Sequence, residues 1–153
     1  MRRDERPTPS KILIADDNQQ NCELLDAYLA DSGFQIEMVY DGQQTLDAVA
    51  KSQPDVILLD IMMPKVSGYE VCQRLKADPK TRNISIIMVT ALAEMGDIEK
   101  AVNAGANDFL TKPVHKLELT TRVKTLLELR HVKSELDRLL GYMEGVDGIG
   151  ESG

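Results

Sequence analysis

Five short apolar runs, each followed by a stretch with helical spacing, organise this chain. The strongest is Val56-Ile57-Leu58-Leu59, introduced by Pro54-Asp55 and carried on to Asp60. A run of that length without a polar face predicts a strand covered on both sides, as in a parallel sheet between two helical layers. Lys11-Ile12-Leu13-Ile14-Ala15, Ile84 to Thr90 and Asp108-Phe109-Leu110-Thr111 have the same character. Phe34 to Tyr40 alternates instead, with Ile36, Met38 and Tyr40 apolar, which suits a less buried strand at a sheet edge.

Between the runs the period becomes helical. Asn18 is a candidate N-cap for a helix with Cys22, Leu24, Leu25, Tyr28 and Leu29 on one side, stopped by Asp31-Ser32-Gly33. Asp41-Gly42 opens a second helix through Leu46, Val49 and Ala50. Ser67 and Glu70, at capping-box spacing, open a third that carries Val71, Cys72 and Leu75 and ends at Asp78-Pro79. Met95 to Gly105 is a fourth, with Gly105 as its C-cap. Strand and helix alternate five times. That calls for an α/β fold with a parallel sheet, right-handed crossovers and helices on both faces.

The fifth helix is longer than packing on a sheet requires. Leu117, Val123, Leu126 and Leu127 can cover the sheet, but the apolar pattern continues as Leu129, Val132, Leu136, Leu139 and Met143 at spacings of three and four. Residues 130–144 therefore read as a helical extension with a coiled-coil seam of roughly two heptads, flanked by charges. It is expected to serve as a two-fold dimer stalk or as a signalling helix to another partner. Gly141, Gly145, Gly148 and Gly150 predict that the helix dissolves into a flexible tail or linker over residues 145–153. Residues 1–10, with Pro7 and Pro9, read as a disordered lead-in.

Composition narrows the functional classes. A net charge of −7, no Trp and no basic stripe argue against direct nucleic-acid binding. No window approaches eighteen apolar residues and the N-terminus lacks an apolar signal core, so the expected location is the cytoplasm, away from the membrane. Cys22 and Cys72, fifty residues apart, form neither a metal-ligand pair nor a disulfide framework and are expected to be buried thiols.

The candidate chemistry lies at the strand ends. Asp16 and Asp17 follow the first strand, Asp60 ends the third, Thr90 the fourth, and Lys112 follows the fifth. In a parallel sheet these ends share the carboxyl edge, where open α/β folds place their ligand crevices. Three carboxylates about 4 Å apart repel by roughly 4 kcal/mol per pair at an effective dielectric near 20. Such a cluster holds a proton or a cation, and ligation by oxygen alone points to a hard ion such as Mg²⁺. Phosphoryl transfer accounts for the set: Asp60 as carboxylate nucleophile, Mg²⁺ beside it, and Lys112 and Thr90 on the remaining phosphoryl oxygens. A carboxylate needs no general base at neutral pH. Ala91 is small enough to leave the phosphoryl group an access path.

Asp16-Asp17, Asp60 followed by Met63-Pro64 and Gly68, Thr90-Ala91, and Lys112-Pro113 together resemble the receiver domain of bacterial two-component response regulators, over residues 11–129. The resemblance implies a flavodoxin-like, doubly wound sheet of five parallel strands in the order 2-1-3-4-5 with five helices. It implies that Asp60 accepts a phosphoryl group from a sensor histidine kinase or phosphotransfer protein. Asp17, Asp60 and the backbone carbonyl of Met62 would ligate Mg²⁺, with Asp16 acting mostly through water. The switch would be Thr90 moving toward the phosphoryl group while Phe109 turns inward. Phe109 stands where the family more often has tyrosine, so its ring can fill a cavity but has no hydroxyl to donate.

Haloacid-dehalogenase phosphatases also use a strand-end Asp, Mg²⁺, a hydroxyl and a Lys, but need an acid two residues past the nucleophile, and Met62 occupies that place. A regulatory domain without turnover of an external substrate is therefore expected, not an enzyme. A pseudo-receiver that only binds partners would leave the acids and Lys112 without a task. Met62 and Leu92 predict slow self-dephosphorylation, because apolar groups there restrict attacking water. The wording around Asp60 and Lys112 is most similar to receivers joined to cyclic-dinucleotide enzymes or sensor kinases. The chain is thus either a single-domain regulator or the N-terminal regulatory part of a longer protein, with its downstream effector open.

Overall fold

The computed structural model describes residues 9–91 and 95–152, with side chains as far as Met143. Five strands, β1 (Lys11–Ala15), β2 (Gln35–Val39), β3 (Val56–Leu59), β4 (Ser85–Thr90) and β5 (Asp108–Thr111), form one parallel sheet in the order β2-β1-β3-β4-β5. Five helices connect or follow them: α1 (Gln19–Leu29), α2 (Gly42–Lys51), α3 (Gly68–Ala77), α4 (Met95–Ala104) and α5 (Lys116–Ser152). This is the flavodoxin-like order, and every strand ends at the same edge.

Apolar side chains alternate between two cores. Leu13, Ile57, Leu59, Ile86 and Met88 face α2, α3 and α4, whereas Ile12, Ile14, Leu58, Ile87 and Val89 face α1 and α5. All four residues of β3 and all six of β4 are buried, as their unbroken apolar runs required. Strand β2, at the edge, keeps its first four residues at least partly accessible.

The caps follow the sequence closely. The Asn18 side chain accepts from the N–H of Asn21, and Gly105 follows α4 with φ of +98°. Ser67 accepts from the N–H of Glu70, but the Glu70 carboxylate pairs with Arg74 along the helix, so only one half of the capping box is documented.

Three expectations are corrected. Leu24 is 45% exposed and does not share the inner face of α1. Leu117 is exposed as well; Leu119 is the residue that starts the sheet-facing side of α5, because a shift of two positions turns about 200° around a helix. Most clearly, α5 is one helix through Gly141, Gly145, Gly148 and Gly150 to Ser152, where a flexible tail was expected. A glycine costs a helix interior only about 1 kcal/mol, and no proline stands there to stop it. Residues 1–8 of the expected lead-in, and Leu92, lie outside the described residues.

Candidate functional site

The register brings the strand-end residues together. Ala15 pairs with Leu59, so Asp16 and Asp60 are each the next residue after adjacent strands, and the N–H of Asp60 donates to the carbonyl of Ala15 (2.9 Å). Thr90 pairs with Thr111, which makes Lys112 the next residue beyond, and its N–H donates to the Thr90 carbonyl (2.9 Å). The side chain of Lys112, 96 positions from Asp16, donates to Asp16 Oδ2 at 2.8 Å and to Asp60 Oδ2 at 3.2 Å.

Asp16, Asp17 and Asp60 each offer a carboxylate oxygen within 4.8 Å of the others. Asp16 and Asp60 are buried, while Asp17 is exposed. Asp16 Oδ1 also accepts the N–H of Asn18 at 2.9 Å, which folds the turn into α1 back on the site. Asp60 Oδ1 accepts the N–H of Met62 at 3.3 Å, so the Met62 backbone sits against the carboxylate while its side chain is 63% exposed.

The electrostatics show a site short of positive charge. Burial, and then the charge of Asp16, push the Asp60 carboxyl above the ordinary range, and Lys112 offsets this only in part. Burial works against the ammonium of Lys112, but its hydrogen bond to Asp16 and the charges of both acids outweigh that and raise its pKa. Three carboxylates face one ammonium. An all-oxygen donor set with excess negative charge and no His or Cys ligand fits a hard divalent cation.

The loop after β3 is held by close backbone approaches. A Cβ on Gly68 would lie 2.3 Å from the Asp60 carbonyl oxygen, and one on Gly42 would lie 1.9 Å from that of Val66. The N–H of Gly68 donates to the Ile61 carbonyl (2.9 Å), and that of Gly42 to the Pro64 carbonyl (3.3 Å). Glycine is needed at both positions because backbone passes where a side chain would start. Gly68 stood out in the sequence as part of a motif; Gly42 looked like a turn residue.

Thr90 is 1% exposed at the end of β4, on the face shared by Ile86 and Met88. Phe109 pairs with Met88 in the register and is half-buried against the same core. The two switch candidates therefore lie on one face of neighbouring strands. Sequence reasoning missed Lys76, whose Nζ donates to the carbonyls of Arg82 (3.0 Å) and Ile84 (2.6 Å) and to Asn107 Oδ1 (2.9 Å). Asn107 in turn accepts the N–H of Ile86 at 2.8 Å, at the opposite end of β4 from Thr90. A lysine on a helix surface carries no local sign of such a role.

Residues 12–124 match the family model for the response regulator receiver domain. The chain belongs to that family. It is 38% identical to the response regulator PleD of Caulobacter vibrioides over 151 residues, covering 92% of this chain and 33% of that protein. It is 39% identical to the DNA-binding dual master transcriptional regulator RpaA of Synechocystis over 117 residues, covering 76% of this chain and 48% of RpaA. The receiver thus spans between a third and half of these curated relatives. Among solved structures it is similar to the receiver domain of a signal transduction histidine kinase from Syntrophus aciditrophicus, at 35% identity and a TM-score of 0.73, covering 78% of this chain and 90% of that one. It is also similar to the receiver domain of a sensor histidine kinase from Pseudomonas aeruginosa, which was solved with magnesium coordinated in its active site cleft. That match has 31% identity and a TM-score of 0.73, and covers 79% of this chain and 99% of the other.

Proposed function

We propose that this receiver takes a phosphoryl group onto Asp60, in the presence of Mg²⁺, from the phosphohistidine of a sensor histidine kinase or phosphotransfer protein. The observation that carries this reading is the buried carboxylate of Asp60, bridged to that of Asp16 by the Lys112 ammonium at the sheet edge. An Asp60 oxygen forms the new bond to phosphorus, the phosphorus–nitrogen bond breaks, and its electron pair returns to the imidazole. Asp17, Asp60 and the Met62 carbonyl would hold the cation, with Asp16 contacting it through water. The cation supplies charge neutralisation to the phosphoryl oxygens. Lys112 is free to turn from Asp60 to a phosphoryl oxygen, since the carboxyl of the new acyl phosphate no longer carries the charge of the free carboxylate.

Phosphorylation then draws the Thr90 hydroxyl toward the site while Phe109 turns inward, changing the partner-binding face. A groove of about 380 Å³ lined by Leu24, Leu25, Tyr28, Pro113 and Val114 shares Lys112 with the site, and offers the phosphodonor an apolar surface to rest on. We read the domain as a regulator without turnover of an external substrate, acting in the cytoplasm. RpaA is DNA-binding by its name, but a net charge of −7 opposes direct contact with nucleic acid by this chain. Among the described residues no helix is long and apolar enough to cross a membrane.

Phosphoramidate, a small donor with the same phosphorus–nitrogen bond, tests the reading by intact mass. Uptake of one phosphoryl group should need Mg²⁺ and fall sharply in Asp17→Asn. Uptake that persists in a chelator would remove the metal from the account.

A further inference from the structure

Leu129, Val132, Leu136, Leu139 and Met143 are 51–59% exposed along the outer half of α5. Their spacings of three, four, three and four are those of the a and d positions of a coiled coil. Leu140 (46% exposed) widens the stripe. The positions in register upstream are Arg122 and Thr125, both exposed and polar. The seam therefore begins where the helix leaves the sheet.

The body of the receiver lies on another side of the helix. Leu119, Val123, Leu126 and Leu127 face the sheet, and at 3.6 residues per turn their centre is about two-fifths of a turn from the seam. Arg130, on the sheet-facing side, approaches the Asp55 carbonyl oxygen (3.5 Å) and carboxylate (3.8 Å) and fastens the helix where it departs. A second helix laid on the seam thus runs past the receiver body.

The flanks select the partner. Glu128 and Glu135 take the g positions and Lys133 an e position. In a parallel pair Glu128 of each copy faces Lys133 of the other, whereas an antiparallel pair sets the two glutamate flanks against each other. In the first heptad the charged flanks Glu128, Lys133 and Glu135 also disfavour larger assemblies that would bury them. We propose that α5 pairs in parallel with α5 of a second copy through Leu129, Val132, Leu136, Leu139 and Met143. The two-stranded stalk projects from the sheet edge opposite Asp60. It places two receivers side by side with both phosphoacceptor edges facing away. The proposal is independent of what Asp60 accepts.

Light scattering and self-crosslinking on the full chain test it. The chain should show twice its 17.0 kDa mass, and Leu136→Lys with Leu139→Lys should halve that mass while leaving phosphoryl uptake from phosphoramidate unchanged. Val132→Cys alone and Met143→Cys alone should each form a disulfide between copies on oxidation; Cys22 and Cys72 are buried and do not compete. A single-chain or four-chain mass overturns the proposal. So does crosslinking only when the two cysteine variants are mixed, which would mean an antiparallel pair.

Discussion

Two regions of this molecule invert the usual partition of side chains, in opposite senses. At the carboxyl edge of the sheet, Asp16 and Asp60 are buried; along the outer half of α5, leucines stand in solvent. The edge is compensated from within only in part, by a lysine 96 positions away from one acid and 52 from the other. The outer helix has no such compensation among the described residues. Buried charge at the edge suits small charged ligands, whereas exposed apolar surface along the helix suits a macromolecular partner.

The largest effect should come from removing the internal compensation. Lys112→Met leaves two buried carboxylates without their cation and should cost about 2–3 kcal/mol in urea unfolding with chelator present, discounted from a fully buried pair because Lys112 is partly exposed. Added Mg²⁺ should recover part of that loss. Next comes Gly68→Ala, which drives a Cβ into the Asp60 backbone and should cost about 2 kcal/mol with a larger loss of phosphoryl uptake. Asp16→Asn should raise metal-free stability by about 1 kcal/mol, since it relieves the repulsion that pushes Asp60 up.

A pH effect should sharpen the contrast. The folded Asp60 carboxyl titrates above its unfolded value, so between the two the folded state binds the extra proton. Metal-free stability should therefore fall as pH rises from about 4 through the folded pKa, and this component should vanish in Asp60→Asn. The smallest effect belongs to the other region: at dilutions where the chain is monomeric, Leu136→Lys should change receiver unfolding by less than about 0.5 kcal/mol, because no packing on the sheet is lost.

How much of this was legible follows from what kind of signal each residue carries. Asp16, Asp60, Thr90 and Lys112 were readable because unbroken apolar runs mark buried parallel strands and put their ends on one edge. The strand bounds of β1 and β5 agree to the residue. Leu24 and Leu117 are exposed although they fit an apolar pattern, because single leucines also stand on solvent-facing helix positions and the residue type alone does not choose the side. The length of α5 was underestimated because scattered glycines weaken a helix without ending it. Gly42 and the Lys76–Asn107 link were not legible at all. Both depend on which distant backbone passes nearby, and no local pattern encodes that.

The most direct test of the central claim is intact mass after exposure to a small phosphodonor with Mg²⁺, on this chain and on Asp60→Asn. The account predicts a gain of one phosphoryl group that needs Mg²⁺ and disappears in the variant. Equal gain in Asp60→Asn, or no gain in the unaltered chain under conditions where Mg²⁺ binds, would contradict it.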